Sequence, residues 1–216
     1  MKAVVFDMDG VLFDTEKLGF AAWDYASKKM NISPASELAF KTLGMNAAAV
    51  DEVLKERYGA DFDIKKFRSL CRGYTYDYFK MHGVPQKPYL KESLSRLEAD
   101  GFKIALASST GKEGVYRNLK DADIEYFFSA VICGDMIEKS KPAPDIYLKA
   151  AETLGVNPAE CFAVEDSKNG IISAYSAGMK VIMIPDLWQG SPETDSLLFA
   201  KCENLRLAAR RIIDNE

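Results

Sequence analysis

The chain has 216 residues, of which 48% are apolar and 28% are charged, and its formal net charge is −4. This composition is ordinary for a soluble globular protein, and the length supports a core without metal or disulfide staples. Nucleic acids and anionic membranes are bound by clustered Lys and Arg, so the charge argues against both as partners. The four cysteines lie far apart without a Cys-x-x-Cys pair, which argues against a disulfide framework or a zinc site.

The first predicted element is a buried strand over Ala3–Phe6. Four apolar residues without polar alternation are typical of a strand that is covered on both faces of a parallel sheet. The strand meets Asp7 before any signal-peptide apolar region could form. No later apolar stretch approaches the roughly 18 residues that a membrane span needs. We therefore expect a soluble, cytoplasmic protein.

A long helical interval follows this strand. About 95 residues separate Phe6 from the next apolar run, far more than a simple crossover needs. Apolar residues recur there at helical spacing in three sets: Leu18, Ala22, Tyr25 and Ala26; Val50, Val53 and Leu54; and Phe67, Leu70, Cys71, Tyr74 and Tyr78. These stripes predict an inserted all-helical subdomain over residues 15–84. Residues 1–14 and 85–216 are then expected to form one α/β core.

Helices and strands alternate in the rest of the chain. The remaining buried strands are predicted at Lys103–Ala107, Ala130–Cys133, Cys161–Val164 and Lys180–Ile184. Between them lie helical stripes such as Leu90, Leu94 and Leu97, which ends at Asp100-Gly101. Such alternation predicts a Rossmann-like, doubly wound parallel sheet.

Polar residues follow four of the predicted strands. They are Asp7 and Asp9 after the first strand, Ser108 and Ser109 after the second, Lys141 in the loop after the third, and Glu165 and Asp166 after the fourth. Ligands of open parallel sheets bind beyond the carboxyl ends of the strands. We therefore expect these side chains to meet at one edge of the sheet.

This set of residues favours a metal ion and a phosphate group. Four carboxylates at one place repel one another unless a cation is present. Oxygen-only ligands favour a hard ion such as Mg²⁺, which often bridges to a substrate phosphate. Hydroxyl and backbone N–H groups at Ser108 and Ser109, near a predicted helix start, suit an anion, and Lys141 would balance charge.

Four segments resemble the signatures of the haloacid dehalogenase superfamily. They are Phe6–Thr15, Ala105–Thr110, Ser140–Asp145 and Val164–Ser167 with Asn169-Gly170. Each segment alone is weak evidence, but the four stand in the right order at the right strand ends. The helical insertion is similar to the cap of the β-phosphoglucomutase-like phosphatase branch.

The resemblance implies a role for each residue. Asp7 would be the nucleophile that forms an aspartyl-phosphate, and Asp9 would act as acid and then as base. Ser108 and Lys141 would contact the transferring phosphoryl group. Mg²⁺ would be held by Asp7, the main-chain carbonyl of Asp9, Asp166 and Glu165. The implied activity is hydrolysis of a small phosphomonoester.

Other functions fit the sequence less well. A sugar phosphomutase of the β-phosphoglucomutase type is the nearest, but the cap histidine and arginine typical of that group are replaced by Gly19 and Ala47. A receiver-like domain would be far shorter, and a catalytically dead binding module would lack one of the expected groups. We expect a monomer that takes a small phosphorylated metabolite, with selectivity in the cap segments Glu16–Phe20, Gly44–Ala47 and Arg72–Tyr78.

Overall fold

A computed structural model describes residues 2–42 and 47–215, without the side chain of residue 49. The chain forms two compact units. Unit 1 consists of Met1–Phe13 and Gln86–Glu216, and unit 2 consists of Asp14–Pro85. The predicted segment Gly44–Ala47 lies, apart from its last residue, outside the described residues.

The described part of unit 2 is helical. Its helices are α1 (Glu16–Met30), α2 (Ser36–Lys41), α3 (Ala47–Tyr58) and α4 (Ile64–His82). The side chain of Asp63 caps the start of α4 by accepting a hydrogen bond from Lys66 N at 2.9 Å. Helix α1 ends at Asn31, which adopts the left-handed conformation with φ of 55°.

Residues of the predicted apolar stripes contribute to the core of unit 2. Its core is formed by Ala26, Ala35, Leu54 and Phe67, and the Trp23 ring packs edge-on against Phe67 at 5.3 Å. The apolar stripe of α4 is less buried towards its C-terminal end than at Phe67. Tyr74 and Tyr78 are only partly covered, whereas the neighbouring Phe79 is buried.

Unit 1 is built on a parallel sheet. Its strands are β1 (Ala3–Phe6), β2 (Lys103–Ser108), β3 (Ala130–Cys133), β4 (Cys161–Glu165), β5 (Lys180–Met183) and β6 (Leu198–Lys201). They lie in the order β3-β2-β1-β4-β5-β6, and every pair is parallel. The predicted doubly wound α/β fold is therefore confirmed.

Strand β6 is the element of this sheet that the sequence did not predict. Its residues Leu198, Phe199 and Ala200 are only partly buried, and the strand pairs on one side with β5 across a register irregularity. It is a four-residue edge strand that ends in an exposed lysine, as is common where a sheet edge faces solvent.

Helices connect the strands of unit 1. They are α5 (Leu90–Ala99), α6 (Lys112–Asp121), α7 (Asp145–Leu154), α8 (Lys168–Ser176), α9 (Pro192–Asp195) and α10 (Leu205–Ile213). Helix α7 is followed by Gly155, whose φ of 67° is left-handed. Helices α7 and α8 bury apolar faces against the sheet in one core with Val5, Ala107 and Ala163. No helix in the described residues is both long and apolar enough to cross a membrane.

Candidate active site

The register of the central strands places the predicted site residues beside one another. Phe6, the last residue of β1, pairs with Leu106 of β2 on one side and Val164 of β4 on the other. Asp7 continues this alignment, because its backbone N–H donates to the carbonyl of Val164 at 3.0 Å. The residues that follow the three strands therefore emerge at one edge of the sheet.

Lys141 is buried at this edge and bridges two carboxylates. Its Nζ donates to Asp7 Oδ1 at 2.5 Å and to Glu165 Oε1 at 2.6 Å. A third bond, of 3.1 Å, reaches the carbonyl of Ala107 near the end of β2. The ammonium is thus fixed by groups from three neighbouring strands, which makes it a pre-oriented positive charge beside Asp7.

Both oxygens of Glu165 accept hydrogen bonds. Oε1 accepts from Lys141 and, at 2.7 Å, from the hydroxyl of Tyr147 on α7. Oε2 accepts from the backbone N–H of Asp166 at 3.0 Å and from the N–H and Oγ of Ser167 at 3.3 and 3.2 Å. This fully buried carboxylate is therefore held rigidly by donors within the chain.

The burial of these charges changes their affinity for protons. Burial raises the pKa of Asp7 to about 8, and the negative charges of Glu165 and Asp9 act in the same direction, while Lys141 opposes them. The pKa of Lys141 is also raised, because attraction to Asp7 and Glu165 outweighs the effect of its burial. The carboxyl group of Asp7 therefore takes up a proton more readily than an exposed carboxyl group does, even with Lys141 in contact.

Three acidic residues are close enough to share one cation. Single oxygens of Asp7, Glu165 and Asp166 lie within 4.8 Å of one another, and all three residues are buried. The one positive charge of Lys141 does not balance three carboxylates. Oxygen ligands with excess negative charge fit a hard divalent ion such as Mg²⁺.

Two glycines make room for these carboxylates. A Cβ atom on Gly10 would overlap the carboxylate of Asp166, and the φ of +85° at Gly10 is in addition one that other residues rarely adopt. A Cβ atom on Gly170 would overlap the carboxylate of Glu165. Glycine at both positions is thus required for the acidic side chains to occupy their observed places.

Asp9 lies outside the three-carboxylate cluster. Its Oδ2 accepts a hydrogen bond of 2.8 Å from Oγ1 of Thr110, which follows β2. This contact orients the carboxylate of Asp9 at the end of β2. Thr110 was predicted only as part of a hydroxyl-rich segment, and its role as the partner of Asp9 follows from the fold.

The two predicted phosphate-binding serines differ in their surroundings. Ser108 is buried at the end of β2, and its Oγ accepts a hydrogen bond from the N–H of Thr110 at 3.1 Å. Ser109 is exposed. Helix α6 begins at Lys112 with Gly111 as its N-terminal cap, so neither serine caps it.

The sequence did not identify Tyr147 as part of this site. The residue lies on the buried face of α7, and its hydroxyl is 3.4 Å from Lys141 Nζ as well as 2.7 Å from Glu165. A tyrosine on a buried helix face needs a partner for its hydroxyl. The sequence does place a tyrosine on an apolar helix face, but it does not indicate which group its hydroxyl contacts.

Comparison with known proteins gives a consistent result over most of the chain. The family model described as haloacid dehalogenase-like hydrolase matches residues 4–184. The phosphorylated carbohydrates phosphatase of Thermotoga maritima is 31% identical over 182 residues, which cover 84% of each chain. The β-phosphoglucomutase of Bacillus subtilis is 32% identical over 199 residues, which cover 89% of this chain and 85% of that one.

A solved structure agrees with the overall architecture. The crystal structure of a HAD hydrolase, family IA, variant 3, from Entamoeba histolytica matches with a TM-score of 0.82 and 25% sequence identity. The match covers the whole of both chains. Similarity in sequence and in structure thus extends through both units.

Proposed function

The chain belongs to the haloacid dehalogenase-like hydrolase family, and from this membership we propose that it is a Mg²⁺-dependent phosphatase acting on a small phosphomonoester. The observation that carries the proposal is the contact of 2.5 Å between Asp7 Oδ1 and Lys141 Nζ at the end of the central strand, beside two further buried carboxylates. A carboxylate can approach a phosphate dianion only where positive charge screens their repulsion.

The proposed metal ligands are oxygens at the ends of β1 and β4. Asp7 and Asp166 supply carboxylate oxygens, and Asp9 supplies its main-chain carbonyl. Both oxygens of Glu165 are already hydrogen-bonded, so its main contributions are negative charge and the fixing of Lys141. When bound, Mg²⁺ would neutralise part of the phosphate charge.

Asp7 is the proposed nucleophile. One of its carboxylate oxygens attacks the phosphorus atom, the bond between phosphorus and the leaving oxygen breaks, and an aspartyl-phosphate remains on the enzyme. Lys141 holds the attacking carboxylate in place and faces the developing negative charge. Ser108, with its Oγ oriented at the end of β2, and the adjacent Ser109 are proposed to bind phosphoryl oxygens.

Asp9 is the proposed acid and base. Its proton goes to the leaving alkoxide in the first step. The same carboxylate then accepts a proton from the water that attacks the phosphorus of the intermediate, which releases inorganic phosphate and restores Asp7. The bond from Thr110 supports this role, because it fixes the orientation of the Asp9 side chain.

Unit 2 is proposed to be a cap that recognises the leaving group. The predicted cap, residues 15–84, and the predicted core, residues 1–14 with 85–216, have boundaries close to those of the two compact units. The sheet edge in unit 1 carries groups that suit phosphate and metal. Selectivity for the remainder of the substrate is then left to side chains of unit 2.

A sugar phosphomutase is the second candidate, and the similarity to the B. subtilis mutase favours it. A mutase must hold a bisphosphorylated intermediate by its second phosphate, which requires cationic groups in the cap. Gly19 and Ala47 stand where such groups are typical. Hydrolysis is therefore the proposed reaction.

The test is a panel of phosphorylated sugars, nucleotides and cofactors assayed for phosphate release and for isomerised sugar phosphate. We expect phosphate release that chelation abolishes, that Mg²⁺ restores and that Ca²⁺ inhibits, because Ca²⁺ imposes a looser coordination shell. Full turnover in a metal-free preparation would refute the metal proposal. Isomerisation without phosphate release would favour the mutase.

A further inference from the structure

Asp186 is a buried acid with one unused oxygen. It lies in the loop after β5, and only 8% of its side chain is exposed. Its carboxylate is paired through Oδ1 with Lys87 Nζ at 2.7 Å. Oδ2 is buried and has no hydrogen-bond partner within the described residues. A buried carboxylate oxygen without a donor is costly, so something outside the protein chain is expected to satisfy it.

The carboxylate of Asp186 lies next to the proposed metal ligands. One oxygen of Asp186 is within 4.8 Å of an oxygen of Asp166, which in turn belongs to the cluster with Asp7 and Glu165. Two carboxylates at this separation repel each other. The Lys87 ammonium offsets the charge of Asp186, but it contacts Oδ1 and leaves Oδ2 open.

The chemistry of Mg²⁺ supplies a suitable partner. This ion keeps several water molecules when it binds to proteins, and each bound water has protons that need acceptors. Acceptors around the direct ligands orient them and strengthen metal binding. Resting on the function proposed above, we propose that Asp186 is an outer ligand of the Mg²⁺ site, which accepts a hydrogen bond from a metal-bound water while Lys87 holds its carboxylate in position.

Two substitutions distinguish a role of Asp186 in Mg²⁺ binding from a purely structural role of its ion pair with Lys87. Both Asp186→Asn and Lys87→Met break the ion pair, but only the first removes the negative charge and replaces one of the two acceptor oxygens with an amide donor. If Asp186 serves the metal, Asp186→Asn weakens Mg²⁺ binding by about tenfold or more, in the range seen for outer-shell partners. Lys87→Met keeps the carboxylate and removes the contact that positions it together with a nearby positive charge, so any loss of Mg²⁺ affinity is much smaller than that of Asp186→Asn.

The experiment is isothermal titration of MgCl₂ into the substrate-free full-length chain, with Asp166→Asn as the standard for lost binding. Asp186→Ser is a second substitution in case Asp186→Asn fails to fold, and circular dichroism checks both. Equal losses in the Asp186 and Lys87 variants would overturn the inference, as would unchanged affinity in a folded Asp186 variant. If the unsubstituted chain binds no Mg²⁺, the proposed function itself fails, which is a different result.

Discussion

The two units bury polar side chains in different ways. In unit 2, Ser27 and Thr42 are buried, and each donates its hydroxyl to a backbone carbonyl of its own segment, at 2.8 and 3.0 Å. In unit 1, Lys141 joins Asp7 and Glu165, which come from strands far apart in the sequence. Hydrogen bonds within one segment stabilise local structure. A network of buried charges across strands costs desolvation free energy and is typical of functional sites.

This difference supports the proposal that unit 1 carries the chemistry and that unit 2 selects the substrate. Substitutions at the sheet edge should then slow every substrate, and substitutions in unit 2 should change the order in which substrates are preferred. Five substitutions in four experiments test that division, and their expected effects decrease from the first experiment to the last.

Asp7→Asn should reduce turnover of every substrate by about 10⁴-fold or more, because an amide cannot form the aspartyl-phosphate. Phosphate release is the measurement, with mass spectrometry to exclude deamidation. The control is Asp123→Asn, an exposed residue paired with Lys91, which should keep full activity. Substantial turnover by a verified Asp7→Asn protein would refute the mechanism.

Asp9→Asn should cost about 10²–10⁴-fold, the usual contribution of a positioned acid–base group. The loss should be greatest for sugar phosphates, whose alkoxide leaving groups need a proton, and smaller for p-nitrophenyl phosphate. The ratio of the two kcat/KM values measures this difference. Equal losses on both substrates would mean that Asp9 has another role.

Tyr147→Phe should lower kcat by about tenfold and leave KM nearly unchanged, because it removes one donor to the charged Glu165 that positions Lys141. The pKa of Tyr147 is raised by burial and by the nearby carboxylates, so the hydroxyl remains a neutral donor. Tyr175→Phe, at an exposed tyrosine of α8, is the matched control. An unchanged kcat in a folded Tyr147→Phe protein would leave the hydroxyl no positioning role.

Lys17→Ala and Tyr74→Phe in unit 2 should each change kcat/KM by only a few-fold, and by different factors for different substrates. Acetyl phosphate should be nearly unaffected, because it offers a cap little to contact. Lys17 and Tyr74 lie in two of the three predicted selectivity segments, and Asn46, in the third segment Gly44–Ala47, lies outside the described residues. A uniform loss on every substrate would make unit 2 a general lid.

Much of the fold followed from local patterns in the sequence. Runs such as Ala3–Phe6 and Cys161–Val164 were recognisable as buried strands, and the doubly wound sheet is confirmed. The resemblance to the haloacid dehalogenase superfamily is confirmed by the family match. Strand β6 was missed, because its pairing with β5 depends on tertiary context.

The candidate site was predictable as a set of residues but not as a network. Asp7, Ser108 and Glu165 could be named because each follows a buried strand. The contacts of Tyr147 and Asp186 could not, since nothing local in the sequence tells which group a buried hydroxyl or carboxylate will meet. The catalytic roles assigned from the resemblance remain predictions until the substitutions above are measured.

The position of β1 in the sheet also has a consequence for how the chain acquires its structure during synthesis. Ala3 pairs with Lys103 on one side and with Cys161 on the other, so β1 cannot be enclosed on both sides until β4 has been made. Unit 2 is a continuous segment, and its ends are joined by a bond of 2.8 Å from Asp14 N to Pro85 O. We expect its helices to form while the ribosome is still producing the sheet, and β1 to wait until most of the chain has emerged.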